Sequence, residues 1–420
     1  MSQENDTPQK ISGCRACGNG NLVPCVSIGS QYLSSVFPAT LDYANSVPRW
    51  PLDLVMCKKS DATCGLVQLA HAIDLTSMYD AYPYTSSTNS SMAGILQSVA
   101  EDGKALKTLE SGDVVLDIGG NDGTLLSFFK DAPVSLVNID PAKNVKPLLQ
   151  SERYTHLADF FSEAAFKKAS GTKAKLIFSV AMFYHLSDPL RFTREVAACL
   201  HNAGAWIIQM AYLPAMLWTN MYDNIVHEHN GYYAAQHTKW IMEQAGLEVF
   251  DVSENAVYGG SFRVFVKKKG NAQFPLTARY QKMLADELRQ GIFDEETYRQ
   301  FAARIQKTRE DLRALCASLR DAGKAIWIYG ASTKGNTILQ YCGLGKEYFT
   351  AAADSNPFKV GKYIIGSDVP ITSEAEMRAA KPDYLLALPY SFVDAFMKRE
   401  ADLVVQGTKF IVPLPAVKVI

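Results

Sequence analysis

The sequence lacks an excess of charge of either sign and has no long apolar run. Its 420 residues include 42 basic and 43 acidic side chains, which leaves a net charge of −1. This balance provides no broad basic field for nucleic acid or an anionic membrane. No stretch approaches the roughly 18 apolar residues that span a bilayer, and residues 1–10 lack the apolar core of a signal peptide. We therefore expect a cytoplasmic protein that binds neither nucleic acid nor a membrane, with a monomer as the working expectation.

Cysteine is also sparse, but four of the eight cysteines lie in the loop-rich stretch 11–75. Cys14 and Cys17 form a knuckle followed by glycine, in which two thiolates can bind one side of a metal ion. Zinc in closed structural sites takes four ligands, and Cys57 and Cys64 are the candidates for the second pair, although six residues separate them. The sequence thus predicts structural zinc. The alternatives are unpaired thiols, or a zinc ribbon that binds nucleic acid, for which the segment lacks a clear Lys/Arg stripe.

Apolar runs that alternate with helical patterns indicate an α/β protein with largely parallel sheets. In the middle of the chain these runs are 114–118, 136–139, 176–180 and 206–210. A polar, helix-favouring stretch over 278–321 leads to further runs at 325–329, 349–353, 384–388 and 409–412. We predict a zinc-binding domain over 1–88, a Rossmann-like domain over 89–270, and a helical linker with a second Rossmann-like α/β domain over 271–420.

The most informative local motif is V-V-L-D-I-G-G-N-D-G at 114–123. A strand that enters a glycine turn and then a helix brings the backbone close to a ligand at the carboxyl edge of a sheet. A dinucleotide would need G-x-G-x-x-G with amides aimed at a pyrophosphate, whereas here Asp117 precedes Gly119 and Gly123. The order D-x-G-x-x-x-G is instead typical of class I methyltransferases. Their cofactor, S-adenosylmethionine, has no phosphate and carries positive amine and sulfonium groups.

Two more acidic residues complete the predicted cofactor site. Asp140 ends the second strand, 21 positions after Gly119, where a carboxylate can bind the ribose hydroxyls. Asp159 follows the third strand and is a candidate adenine contact. The predicted S-adenosylmethionine site comprises Asp117, Gly119, Asn121, Gly123, Asp140 and Asp159. The alternative is an ordinary strand–turn–helix without a ligand.

The order of motifs along nearly the whole chain resembles the nucleotide-sugar C-methyltransferases of deoxysugar biosynthesis, such as those of the mycarose type. The shared segments are the cysteine pairs, Y-P-Y-T-S-S at 82–87, the glycine turn, H-E-H at 227–229, Y-G-G-S-F-R at 258–263, Y-G-A-S-T-K-G at 329–335 and D-S-N-P-F-K at 354–359. The chain departs from the family in its longer second cysteine spacing and in Val226-His227, where some members carry a tyrosine.

The resemblance implies an N-terminal zinc domain, a class I methyltransferase domain in the middle, and outer domains that hold a nucleotide-sugar. It also implies methylation of carbon, usually C3, in an NDP-4-keto-6-deoxysugar. The substrate contacts that we assign are Tyr82, Arg263, Tyr329, Ser332, Lys334 and Asn356.

Methylation of carbon requires that a proton first leave the carbon next to the ketone, which gives an enolate. The enzyme therefore needs a base, a group that stabilises the enolate oxygen, and alignment of the reactants. We predict His229 as the base, because histidine titrates near neutral pH, with Glu228 supporting it. Tyr84 could hydrogen-bond a sugar oxygen or the enolate. His185 follows the fourth strand at the carboxyl edge of the sheet, where ligands bind. Surface charge or a packed histidine is the alternative for these residues.

The glycine-rich turn at 330–335 has the spacing G-x-x-x-x-G, but Asn336 stands where a P-loop has lysine. Hydrolysis of a nucleoside triphosphate is therefore not expected. Ser332 and Lys334 suit contact with a diphosphate, and a plain strand–helix turn is the alternative. Arg263 could pair with a phosphate or form a salt bridge at a strand edge.

Three other functions compete with C-methylation. An O- or N-methyltransferase would keep the cofactor but need no enolate-forming base. An NAD(P) oxidoreductase would use the C-terminal Rossmann-like segment, which lacks G-x-G-x-x-G. A non-enzymatic zinc-ribbon protein would carry a degenerate methyltransferase core, yet the acidic and glycine positions of the cofactor motif are all present.

Overall fold

The computed structural model describes residues 8–73, 85–88, 90–107 and 109–420. Tyr82 and Tyr84, two of the predicted site residues, lie outside these ranges. Within the described part of the chain, no helix combines the length and the apolar character needed to cross a membrane.

The N-terminal region is built mainly of short antiparallel strands. Its elements are β1 (Gln9–Lys10), β2 (Leu22–Gln31), α1 (Leu41–Ser46), β3 (Trp50–Cys57), β4 (Val67–Leu69) and β5 (His71–Ala72). The side chains of β3 are largely buried, because this strand lies between β2 and β4 and packs against the helices that follow later in the chain. Two of the four clustered cysteines therefore stand where β3 ends and shortly before β4 begins.

The middle region alternates strands and helices. Its elements are α2 (Ser90–Ala105), β6 (Val114–Ile118), α3 (Thr124–Ser127), β7 (Ser135–Ile139), β8 (Tyr154–Leu157), α4 (Glu163–Ala169), β9 (Ala174–Val180), α5 (Pro189–Cys199), β10 (Leu200–Ala211), α6 (Leu213–Trp218), β11 (Gly231–Tyr232), α7 (Ala235–Gln244), β12 (Leu247–Asn255) and β13 (Ser261–Lys268). All five residues of β6 are buried, as a central parallel strand covered on both faces requires.

Seven of these strands form one sheet in the order β12-β13-β10-β9-β6-β7-β8. The strands from β6 to β10 are parallel, and β13 runs antiparallel between β10 and β12. This is the class I methyltransferase fold that the cofactor motif predicts. Phe178, Trp206 and Phe262 are completely buried in its core.

The strand β11 does not join this sheet but extends the N-terminal one. The order there is β11-β4-β3-β2, with Gly231 opposite Gln68 and Tyr232 opposite Val67 in antiparallel register. The N-terminal sheet is therefore completed by a segment of the middle region, which the division of the sequence into three stretches did not anticipate.

The C-terminal region begins with two helices and ends in a second doubly wound sheet. Its elements are α8 (Ala278–Arg289), α9 (Glu295–Asp321), β14 (Ile326–Tyr329), α10 (Thr333–Cys342), β15 (Ala352–Asp354), β16 (Tyr363–Ile364), β17 (Val369–Ser373), α11 (Glu374–Ala380), β18 (Tyr384–Ala387), α12 (Val393–Arg399), α13 (Ala401–Val405), β19 (Lys409–Val412) and β20 (Lys418–Val419). The helical stretch predicted over 278–321 is interrupted because Gly291 takes a φ of 68°, which ends α8.

The second sheet has the order β16-β17-β15-β14-β18-β19-β20. In both doubly wound sheets the chain first adds strands on one side of a central strand and then crosses to its other side. This central strand is β6 in the first sheet and β14 in the second. Ligands bind at such switch points, outside the carboxyl ends of the strands. The segments that follow β9, β14 and β18 all line one cavity, so the two switch regions face each other.

Candidate active site and zinc centre

The four N-terminal cysteines converge on one point. The Sγ atoms of Cys14, Cys17, Cys57 and Cys64 all lie within 4.8 Å of one another, with Cys14 to Cys64 at 3.4 Å and Cys17 to Cys57 at 3.5 Å. Tetrahedral zinc with Zn–S bonds of about 2.3 Å places its sulfurs about 3.8 Å apart, so the cluster fits zinc. The longer spacing of the second pair is taken up by a turn in which Ser60 bridges Thr63.

The thiols also influence one another in a way that favours a cation. Hydrogen bonds from neighbouring thiols lower the pKa of Cys57 and, to about 6, that of Cys17, whereas the pKa of Cys14 is raised to about 12. Some of the thiols thus keep their protons, because four adjacent thiolates would repel one another. A divalent cation would remove this conflict. The Leu66 amide donates to Cys64 Sγ at 3.4 Å and the Asn19 side chain donates to Cys57 Sγ at 3.4 Å, as expected around bound thiolates.

The predicted cofactor turn follows β6 at the carboxyl edge of the first sheet. Gly120 must be glycine, since an added Cβ would lie 2.5 Å from both Asp117 Oδ2 and Asn138 Oδ1. The Asn121 amide donates to Asp140 Oδ2 at 2.8 Å, which ties the turn to the end of β7. The turn is therefore fixed by short polar contacts to the ends of β6 and β7.

Three buried carboxylates surround this turn: Asp117, Asp122 and Asp140. Burial, together with the charges of the other two, raises the pKa of Asp117 to about 8. A ligand with ammonium and sulfonium groups would offset this negative field, whereas a pyrophosphate would be repelled. The backbone amides of Ser86 and Ser87 donate to Asn121 and Asp122 at 2.9 Å, so the end of the predicted Y-P-Y-T-S-S segment lies against the turn. Asp159, beyond β8, is exposed.

A cavity of about 380 Å³ lies beside the cofactor turn. One wall comes from the carboxyl ends of β9 and β10 and from residues 223–229, and the opposite wall comes from residues 332–334 and 388–392 of the C-terminal domain. Its size is within the range of about 300–1,000 Å³ usual for small-molecule sites. The predicted residues His185, Glu228, His229, Ser332 and Lys334 all line it.

His229 is held as a neutral imidazole. Its Nδ1 lies 2.8 Å from the Asn224 carbonyl oxygen, and because a carbonyl can only accept, Nδ1 carries the proton and Nε2 is left to accept one. Burial and the charges of His185 and Lys334 lower the pKa of His229 well below its usual value. The ring packs 4.3 Å from Tyr184 and is stacked 5.5 Å from His185.

The other titratable groups of the cavity are also shifted towards their neutral forms. Burial lowers the pKa of His185 to about 4 and also lowers that of Lys334, although Asp223 opposes the latter change. Burial raises the pKa of Glu228, which a hydrogen bond with Ser35 opposes. The cavity is thus a poorly solvated place in which electrostatic interactions are strong.

The sequence analysis missed two residues of this cavity, one acidic and one aromatic. Asp223 is buried, and its Oδ1 accepts a hydrogen bond from the Tyr390 hydroxyl at 3.1 Å, across the boundary between the middle and C-terminal domains. Both residues line the cavity with Lys334. No local motif marks them, since 167 positions separate the two partners; only the switch-point position after β18 could have pointed to Tyr390.

Three residues assigned to the substrate have partners within the protein, and their contact with the substrate stays a prediction. Arg263 is buried in β13, where it donates to Gln209 Oε1 at 2.6 Å and pairs with Asp102. Tyr329 is 1% exposed and donates to Glu400 Oε1 at 2.7 Å. Asn356 accepts from the Phe358 amide at 3.0 Å within a turn. Among the described residues, none of the three belongs to the cavity wall.

Comparison with known proteins agrees with this geometry. Three family models match consecutive parts of the chain: "Putative zinc binding domain" over 14–79, "Methyltransferase domain" over 93–252 and "C-methyltransferase C-terminal domain" over 256–415. The chain is 31% identical over 417 residues to the C-methyltransferase NovU of Streptomyces niveus, covering 99% of this chain and 98% of NovU. The chain belongs to this C-methyltransferase family.

Two solved methyltransferases each match less than half of this chain. The plantazolicin methyltransferase BpumL, solved with S-adenosylhomocysteine and a triazolic substrate analogue, is 12% identical, with a TM-score of 0.35 over 46% of this chain and 89% of BpumL. Mitomycin 7-O-methyltransferase MmcR is 14% identical, with a TM-score of 0.29 over 41% of this chain and 54% of MmcR.

As a member of the family, the protein is an S-adenosylmethionine-dependent C-methyltransferase with a structural zinc site formed by four cysteines. The prediction of an enzyme with these two cofactors is confirmed, and the oxidoreductase and non-enzymatic interpretations are set aside. In this C-methyltransferase the cofactor turn and the cavity are adjacent, since Val180, the last residue of β9, and Ala181, which follows it, line the cavity, and β9 pairs with β6.

Proposed function

We propose that this C-methyltransferase methylates carbon, at C3, of an NDP-4-keto-6-deoxysugar through an enolate. The observation that carries the proposal is the neutral His229, whose Nδ1 is fixed by the Asn224 carbonyl and whose Nε2 is free to act as a base in the cavity between two domains. An oxygen or nitrogen acceptor would already have a lone pair, whereas a carbon acceptor needs such a base.

Proton removal is the step that this chain's own residues perform. His229 Nε2 takes the proton from the carbon beside the ketone, and the electron pair of the C–H bond moves to the ketone oxygen to form the enolate. Glu228 supports the histidine, and Tyr84 is proposed to hydrogen-bond a sugar oxygen or the developing enolate oxygen. S-adenosylmethionine, when bound, supplies an electrophilic methyl group, and Asp117, Gly119, Asn121, Gly123, Asp140 and Asp159 are the residues proposed to hold it.

The diphosphate of the substrate is proposed to lie at the N-terminus of α10. Ser332 caps this ten-residue helix by accepting from the Gly335 amide at 3.0 Å, and helix N-termini favour anions. Lys334 in the first turn adds a cation. The free cysteines suit a reducing compartment, which supports a cytoplasmic location.

A deuterium experiment tests the proposal. The purified enzyme is incubated in deuterated water with a panel of NDP-4-keto-6-deoxysugars, with and without S-adenosylmethionine, and the products are followed by mass spectrometry and NMR. We expect deuterium beside the ketone without the methyl donor, and one new C-methyl group at C3 with it. Methyl transfer without exchange, or at another atom, would contradict the enolate mechanism.

A further inference from the structure

The zinc site and the two cavity histidines are joined by a short path of hydrogen bonds. Two of the zinc ligands, Cys57 and Cys64, bracket the connection between β3 and β4. Arg15, one of the two residues between Cys14 and Cys17, donates its amide to Gln68 Oε1 at 2.9 Å, and its side chain donates to the His71 carbonyl at 2.9 Å. Both halves of the zinc cluster therefore hold β4 in place.

The outer edge of β4 carries the segment that contains the base. The Leu69 amide donates to the Asn230 carbonyl at 3.1 Å, and β11 then pairs with β4 from Gly231 onwards. His229 is thus the residue immediately before a segment that is fixed to the zinc-binding sheet. The zinc loop also contacts the next helix, since His237 Nε2 donates to the Gly65 carbonyl at 3.1 Å.

Asn230 connects the second histidine to the same edge. Its side-chain Nδ2 donates to the His185 carbonyl at 2.7 Å, while its own carbonyl accepts from β4. Asn230 is half-buried and is not part of the cavity wall among the described residues. One residue therefore fixes the backbone of His185 and the register of the segment beginning at His229, and both bonds depend on where β4 lies.

We propose that the zinc-binding domain is a structural part of the active site: through β4 and Asn230 it sets the relative positions of His185 and His229. Asn230 is a positioning residue. The proposal rests on the proposed function for its kinetic consequence, because only an enolate mechanism makes the position of the base limiting. The connection itself is a property of the fold.

Asn230→Leu removes the amide donor with little change in side-chain size. We expect proton exchange beside the ketone, measured in deuterated water without S-adenosylmethionine, to slow by about 10- to 100-fold, as for a base misplaced by about 1 Å. The acid limb of its pH profile should shift upward, since a looser histidine pair admits water. Cofactor affinity and zinc content should stay at their wild-type values. Gln236→Met is the matched control, because Gln236 also donates a side-chain amide to a carbonyl, that of Leu284 at 3.0 Å, but lies outside the cavity wall.

Hydrogen exchange of the protein provides an arm that does not depend on catalysis. On removal of zinc by a chelator, the amides of 229–232 should lose protection together with those of 67–69. The proposal would be overturned if the amides of 229–232 stayed protected while those of 67–69 lost protection. It would also be overturned if Asn230→Leu exchanged the substrate proton at the wild-type rate with an unmoved acid limb. If the wild-type enzyme exchanged no proton of the substrate, the proposed function would be refuted instead. Hydrogen exchange of the protein's backbone amides would still test whether the zinc-binding domain positions the two histidines.

Discussion

Replacing His229 by glutamine is the most direct test of the mechanism. Glutamine is close in reach to histidine and can still donate an amide proton to the Asn224 carbonyl, which His229 Nδ1 contacts at 2.8 Å. It cannot accept a proton as a base. The substitution therefore retains a polar amide of similar length and removes the basic lone pair of Nε2.

The size of the effect follows from what a positioned base contributes. General-base catalysis is worth about 10²- to 10⁴-fold, or about 2.7–5.4 kcal/mol of transition-state stabilisation. Because burial and neighbouring charges lower the pKa of His229, it is a weak base, and we expect a loss of at least about 10²-fold, towards the lower end of this range.

The assay is deuterium exchange beside the ketone, followed by NMR, with isothermal calorimetry to show that the cofactor still binds. His227→Gln is the matched control: His227 is equally buried and its Nε2 lies 3.1 Å from the Trp50 carbonyl, but it is outside the cavity wall within the described structure. If His229→Gln kept more than about a tenth of the wild-type exchange rate, His229 would not be the base.

Three further predictions concern charge and metal. Lys334→Met removes a positive charge that lowers the pKa of His229. Because the neutral form of His229 is the proposed base, the acid limb of the kcat/KM profile should move to higher pH. An unmoved acid limb would show that Lys334 does not influence the group that titrates there. Cys64→Ser removes a zinc ligand and should lower the zinc content. It should also lower the Tm by about 10 °C, because loss of a structural zinc costs several kcal/mol of stability and each kcal/mol shifts the Tm of such a domain by about 2–4 °C. Cys25→Ser, outside the cluster, should leave both unchanged; equal zinc content in the two variants would exclude Cys64 as a ligand. Asp117→Asn should raise the Tm of the cofactor-free protein by an amount that grows between about pH 4 and pH 8 and then stays constant, because the pKa of this carboxyl is raised from about 4 in the unfolded chain to about 8 in the fold and stability is lost over that interval. The same variant should weaken S-adenosylmethionine binding by at least about 10-fold in calorimetry, and an unchanged affinity would contradict a role for the carboxylate.

Local chemistry made part of this enzyme predictable. Neighbouring residues alone create two of its arrangements. Two cysteines three positions apart indicate a metal site, and a strand that enters a glycine turn indicates a ligand site. The zinc cluster and the strand preceding Gly119 were therefore predictable, and the structure shows both. The stretched spacing before Cys64 was the one feature that the sequence could not interpret, since a turn of any shape fits it.

Partners distant in the sequence made the rest unpredictable. Tyr329 and Arg263 stand in motifs that suggested a ligand, and in the fold they bind Glu400 and Asp102, which are 71 and 161 positions away. Nothing near Asp223 indicates that Tyr390 will meet it.

The sequence by itself determined the cofactors and led to the prediction of a histidine base, because residue type and short spacing decide which chemistry is possible. Only the tertiary structure decided which nitrogen of His229 is free, how far burial shifts its pKa, and that the strand following it belongs to the zinc-binding sheet. Those properties depend on the solvent exclusion and the hydrogen-bond partners that packing creates, and packing brings together residues that the order of the chain keeps apart.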